Sequence, residues 1–355
     1  MRSRLPSLLL WLILALAAAL RLFRLNVGEY QWDDDGIWSL AVNAVARHVL
    51  PAAGINSTVG ASNGPAMVWL LMPFAAVART PMAGIVGLAL LNVAAVYFVY
   101  RFVREFFGER PALLAALLFA VNSWALVFSR HIVVQALLIP IQVLFFWSAA
   151  RWLARGRTAD LVLAFLWLAI VSQSYIEGLL HLGSMAIILA IGWRKLRVWP
   201  LLAGGSLFLA LCAPYLIHLV VNDSRWLQLA ASGGGQPVVD GSSVWYAAVQ
   251  AMHTGFERDA PQMDSVIAPV SGLETAFAAL EVALYAGGIG YMLLRLIRLG
   301  REGRDDRARV VGMLFAWLLF PIAIYVRHQD ILSWRHLVLT LPLPAIFSGL
   351  LLDRL

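Results

Sequence analysis

Residues 132–150 read IVVQALLIPIQVLFFWSAA, and Arg151, Arg155 and Arg157 follow closely. The run carries no charge and is about as long as the roughly 20 residues a helix needs to cross a bilayer core. A lipid-exposed backbone must satisfy its own hydrogen bonds, and no alternating barrel pattern occurs, so the run reads as a transmembrane helix. Similar runs lie at 6–22, 65–79, 81–100, 111–129, 159–175, 178–192, 198–221, 274–294, 309–326 and 336–352. Of the 355 residues 61% are hydrophobic and only 13% charged, where a soluble domain carries about a quarter charged. Mean hydropathy is +0.78. These figures exclude a soluble globular enzyme, a disordered chain and a nucleic-acid binder. The net charge of +7 does not restore the last, because its cations lie between hydrophobic segments rather than in one patch. The single cysteine, Cys212, excludes an intrachain disulfide framework and a cysteine metal cage. The predicted fold class is an all-α polytopic membrane protein with about ten transmembrane helices and juxtamembrane helices in the first outer loop.

Basic residues set the orientation, because cytoplasmic connections are enriched in Lys and Arg. Arg151, Arg155 and Arg157 form one cluster, Arg194, Lys195 and Arg197 a second, and the series Arg295 to Arg309 the largest. Alternate connections are then cytoplasmic, and both long loops, about 24–64 and 222–273, lie outside. Arg101, Arg104 and Arg110 must be inside, so only one of the runs 65–79 and 81–100 crosses. The shorter run opens at Pro65 and contains Pro73, and it is assigned as a re-entrant or juxtamembrane helix. The whole of 1–355 is read as one transmembrane domain without a soluble C-terminal domain.

Chemistry concentrates on the outer side. The stretch Tyr30-Gln31-Trp32-Asp33-Asp34-Asp35-Gly36-Ile37-Trp38 sets three carboxylates among aromatics that favour the interface. Adjacent like charges at a low-dielectric boundary hold protons more tightly, which suits a general base or a cation site. Apolar Ile37, Leu40, Ala41, Ala44 and Val45 follow at helical spacing, predicting an amphipathic interfacial helix that holds the acids at its N-terminus. Arg130, His131 and Gln135, then Tyr175, Glu177 and His181, then Arg327, His328, Asp330, Arg335 and His336 fall at the outer ends of other spans. Ionisable groups near membrane depth are costly and tend to mark sites. No phosphate-cradling G-x-x-x-x-G-K-[ST] and no HExxH occurs.

In order along the chain, Trp32-Asp33-Asp34-Asp35-Gly36-Ile37-Trp38-Ser39-Leu40-Ala41, Asn63-Gly64-Pro65-Ala66-Met67, Phe128-Ser129-Arg130 with Gln135, and Arg335-His336-Leu337 to Pro342 resemble motifs of GT-C-fold glycosyltransferases. The similarity is to the protein mannosyltransferase and lipid A aminoarabinose transferase-like enzymes, including the RgtA/B/C/D-like group. The family's Asp-Glu pair is Asp34-Asp35 here, Gln135 replaces an acid often found in the second loop, and His336 replaces a Tyr.

The resemblance implies a donor with sugar on polyprenyl phosphate, its tail in the bilayer and its head at the extracytoplasmic face of the cytoplasmic membrane. It implies Asp34 as general base in an inverting displacement, with Asp35 orienting the acceptor or binding a divalent cation. No cofactor is otherwise implied, and Gln135 argues against a strong cation site. Trp32 offers a face to a sugar ring beside Asp33. Arg130 and Arg335, with His131 and His336, are expected on the donor phosphate, and Glu177 on a sugar. The acceptor is an unspecified lipid, glycan or protein; membrane lipids are the other partners. A transporter or flippase for a lipid-linked sugar is the alternative, which the lack of matched broken spans in two halves disfavours.

Overall fold

A computed structural model of the chain describes residues 5–25, 32–57, 61–78, 80–222, 271–325 and 334–355. Thirteen α-helices are described: α1 (Leu5–Leu22), α2 (Trp32–Arg47), α3 (Ala66–Val77), α4 (Met82–Phe107), α5 (Glu109–Ala120), α6 (Ser123–Ser129), α7 (Val134–Arg155), α8 (Thr158–Ser174), α9 (His181–Ile191), α10 (Val198–Asn222), α11 (Ser271–Arg301), α12 (Asp305–Tyr325) and α13 (Pro342–Leu352). Single 3-10 segments, Ile176–Leu180 and Trp334–Thr340, precede α9 and α13. Among the described residues the only β-type pairing is an isolated bridge, Asn56 with Ser62. The all-α polytopic class is therefore correct.

Among the described residues six helices are long and apolar enough to cross a bilayer: α1, α4, α7, α10, α11 from Ala279, and α12. Helices α5 and α6 pass the same test as a pair bent by 59°. The bend has a local cause. Asn122 interrupts the helix and caps α6, its side-chain oxygen accepting from the Ala125 N–H at 2.9 Å, as an N-cap asparagine does. The remaining apolar helices, α3, α8, Ile176–Ile191 and Leu337–Leu352, are shorter. The 12 residues of α3 rise about 18 Å, well short of the roughly 30 Å core, in keeping with its assignment as a non-crossing helix. The expected ten spans thus resolve into six full helices, one bent pair and shorter apolar pieces.

Helix α7 is the axis of the bundle. Of its apolar window 83% is buried, against 17% for α1, and it packs against α4, α8 and α12. Phe146 stacks on Trp317 of α12 with ring centroids 3.9 Å apart. At Arg155 the helix stops because Gly156 takes the left-handed conformation, φ 68°, which glycine adopts without penalty. Small residues set the closest approach elsewhere, as in membrane interiors generally. A Cβ on Gly349 of α13 would sit 2.7 Å from the Ala115 nitrogen of α5.

Polar bonds sort the helix ends onto two faces. On one, Glu105 of α4 pairs with Arg151 and Arg155 of α7, and Lys195 pairs with Asp306 of α12. On the other, Asp34 of α2 meets the link between α6 and α7. The 22 residues of α7 put about 33 Å between these faces. Gly349→Leu is expected to lower stability by about 1–3 kcal/mol through overpacking, read as a fall in thermal unfolding temperature in detergent. Gly205→Ala, where a Cβ meets nothing within 4 Å, is expected to hold or raise it.

Candidate active site

Helix α2 turns the Asp triplet into unequal carboxylates. Its buried stripe is Asp34, Ile37, Trp38, Ala41 and Ala44, while Asp35, Ser39, Val42 and Asn43 are exposed. Successive helical residues are rotated by about 100°, so the apolar period carries Asp34 into the protein and leaves Asp35 outside. Asp34 is 0% exposed. Its Oδ1 accepts from the backbone N–H of Ile132, and its Oδ2 lies 3.2 Å from His131 Nδ1. The helix closes at His48, φ 53°, with the Val49 N–H donating to the Ala44 carbonyl.

The link that supplies His131 and Ile132 is itself anchored. Arg130 directs its guanidinium to the end of α1, donating through Nη1 to the carbonyls of Leu20 (3.0 Å) and Phe23 (2.8 Å) and through Nη2 to that of Arg24 (3.4 Å). The last carbonyls of a helix lack intrahelical partners, and a planar multi-donor cation suits several at once. Arg21, also at this end, is wholly buried, and its Nη1 donates to Ala17 and Ala120 carbonyls.

A second part of the site comes from residues 54–57 and 61–64. Gly54 and Asn63 pair through their backbones, the Asn63 Oδ1 accepts from the Ile176 N–H at 3.1 Å, and the Tyr215 hydroxyl of α10 donates to the Ser62 carbonyl at 2.8 Å. Gly64 is needed here because a Cβ would come within 2.3 Å of the Gln173 carbonyl oxygen. Glu177 lies in the adjoining turn and accepts from the Tyr175 hydroxyl at 2.8 Å. That turn packs against Trp334–Thr340, the segment that carries Arg335 and His336. This segment is held from the bundle by Gln142, whose side-chain N–H donates to the Val338 carbonyl, and by Trp317, which donates to that of Leu339.

Of the residues predicted from sequence, Asp34 and His131 come together; Gln135 is buried in the first turn of α7, and Asp35 is exposed. Arg130 is engaged with α1. The side chains of Trp32, Asp33, Arg335 and His336 lie outside the described residues, as do residues 326–330 with Arg327, His328 and Asp330, and most of the outer loop 222–273. His181 is buried within the bundle beside Ser184 and Gln142. Among the described residues no group of three or more His, Cys, Asp and Glu side chains gathers to hold a metal ion. Sequence reasoning missed the Ile132 N–H and the tether from Asn63 to Ile176, because backbone donors and amide tethers leave no compositional signal.

The whole chain shares its fold with two solved membrane proteins. One is ArnT from Cupriavidus metallidurans bound to undecaprenyl phosphate, with a TM-score of 0.61 at 13% identity over 99% of this chain and 60% of that one. The other is the archaeal oligosaccharyltransferase AglB from Archaeoglobus fulgidus in complex with an inhibitory peptide and a dolichol-phosphate, with a TM-score of 0.60 at 16% identity over 98% of this chain and 50% of that one. The fold shared with these two structures is the GT-C fold. A family model described as dolichyl-phosphate-mannose-protein mannosyltransferase also matches residues 62–218. The chain spans 60% of the length of ArnT and half of that of AglB. No curated protein matches its sequence.

Arg130→Ala is expected to lower stability by about 1.5–3 kcal/mol, the range for hydrogen bonds involving a charged group. Arg130→Lys is expected to restore little, since a compact ammonium lacks the planar fork that reaches four carbonyls at once. Thermal unfolding of the purified variants checks both.

Proposed function

We propose that the chain is a membrane glycosyltransferase that moves a sugar from a polyprenyl-phosphate donor to an acceptor hydroxyl. The reading sets the reaction at the extracytoplasmic face of the cytoplasmic membrane. The observation that carries it is the wholly buried Asp34 carboxylate, held by the Ile132 N–H and beside His131, at the outer end of a GT-C fold. The bound lipid phosphates of ArnT and AglB support the donor class.

In this reaction the acceptor oxygen attacks the anomeric carbon, and the bond from that carbon to the phosphate oxygen breaks with inversion. Polyprenyl phosphate leaves with the electron pair, and Asp34 takes the acceptor proton. Two fixed donors keep the carboxylate oriented without reorganisation, the general advantage of a preorganised site. Asp35, exposed one residue on, orients the acceptor. Trp32 stacks on the sugar beside Asp33. Arg335 and His336 hold the departing phosphate, Glu177 contacts a sugar, and His131 steadies Asp34. Arg130 acts at one remove, by fixing the link that carries His131 and Ile132. Gln135 lines the same end of α7.

The test is turnover of a radiolabelled panel of polyprenyl-phosphate hexoses and pentoses by the purified protein. Asp34→Asn is expected to cut transfer by about 10²–10⁴-fold, the usual contribution of a general base, while Asp35→Asn retains most of it. Equal activity of wild type and Asp34→Asn at equal folded protein would refute the base assignment. Translocation of a lipid-linked sugar across vesicles without transfer would replace the enzyme by a transporter. With Gln135 where an acid would stand and Asp35 exposed, turnover is expected to survive EDTA; loss restored by a divalent cation would add a metal to the site.

A further inference from the structure

At the opposite face, the ends of α4 and α7 enclose a cavity of about 420 Å³ lined by Arg101, Arg104, Glu105, Trp147, Arg151 and Arg155. Four guanidiniums thus surround one carboxylate. Glu105 is already occupied: Arg155 pairs with it at 2.5 Å and Arg151 at 3.5 Å, and the Trp147 indole N–H donates to it at 2.8 Å. Asp160 takes part of Arg151 at 3.4 Å, and Glu109 pairs with Arg104 at 2.5 Å. Arg101 has no carboxylate partner among the described residues; it donates to the Tyr97 hydroxyl at 2.9 Å and lies over the rings of Tyr97 and Trp147. The pocket therefore keeps an excess of positive charge after every described ion pair is counted.

Its depth says where an anion would come from. The 26 residues of α4 rise about 39 Å, longer than the roughly 30 Å hydrocarbon core, so its last turns from Arg101 to Phe107 stand among headgroups. Trp147 lies at the level where amphipathic aromatics anchor a bilayer. Just toward the membrane the helix surfaces are apolar or aromatic, with Tyr97, Phe98 and Leu144 partly exposed. A basic pocket between spanning helices, open at headgroup level and continuous with an apolar surface, fits a phosphate on a lipid better than one in solution. Guanidinium forks match phosphate oxygens bidentately.

We propose that this cavity binds the phosphate headgroup of an anionic phospholipid in the leaflet at the arginine-rich face, with the exposed Arg101 and Arg104 as its outer donors and Arg151 and Arg155 as its inner wall. The site is distinct from the Asp34 region by the length of α7 and does not depend on the transferase reading.

Native mass spectrometry of the full chain, with phosphatidylglycerol and phosphatidylcholine offered at equal concentration, tests the proposal. Wild type is expected to retain phosphatidylglycerol preferentially. Arg101→Gln is expected to weaken that retention about five-fold, and Arg101→Gln with Arg104→Gln about thirty-fold, the loss anticipated for one and two surface cations. Both arginines are exposed, and unchanged helical circular dichroism would show that the variants fold. Arg307→Gln, exposed on the same face and outside the cavity, is expected to bind as wild type does. Equal retention of both lipids by wild type, or an equal loss in Arg307→Gln, would overturn the proposal. Displacement of the lipid by excess inorganic phosphate would do the same and assign the pocket to a soluble phosphate.

Discussion

At several breaks among the described helices, a side chain from elsewhere in the chain satisfies the backbone groups the break sets free. Lipid offers no hydrogen bonds, so each unpaired N–H or C=O there costs several kcal/mol. The end of α1 gives its carbonyls to Arg130, and the link between α6 and α7 gives the Ile132 N–H to Asp34. The break after α8 gives the Ile176 N–H to Asn63. The 3-10 segment before α13 gives carbonyls to Gln142 and Trp317, and the end of α7 gives carbonyls to Lys195. Many of the long-range polar contacts among the described residues belong to this set.

The candidate site is a product of the same constraint. Several of these breaks lie on one face, and the groups that repair them come from α2, residues 54–57 and 61–64, α7 and α12. A buried carboxylate is costly unless it is hydrogen-bonded; Asp34 escapes that cost because the broken link supplies a donor. The arrangement thus satisfies a backbone orphan and fixes the Asp34 carboxylate in one contact. The opposite face differs in kind. There the helix ends carry Arg paired with Glu and Asp, at a depth where water and headgroups are available, so its polar groups tolerate incomplete pairing.

Much of this was legible beforehand. The apolar runs set the class and marked α3 as too short to cross, and the spacing of Ile37, Ala41 and Ala44 called for the amphipathic helix α2. The same period, extended back, singles out Asp34 rather than Asp35 as the inward carboxylate, a step available from sequence but not taken. Arg130 shows the opposite case. Its place beside His131 at the outer end of a span suggested a phosphate ligand, whereas its guanidinium serves carbonyls more than a hundred residues earlier in the chain. Arg21, to which no role was given from sequence, is wholly buried against α5.

The sequence by itself determined which segments are helical and apolar, and which face gathers arginine. These follow from local periodicity and from transfer free energies that act on each segment separately. Which donors meet the enclosed carboxylate, which cations are engaged and which pocket stays charged were left to the tertiary structure. Those outcomes depend on pairings between residues far apart in the chain, and a donor's composition carries no mark of the acceptor that folding will bring to it.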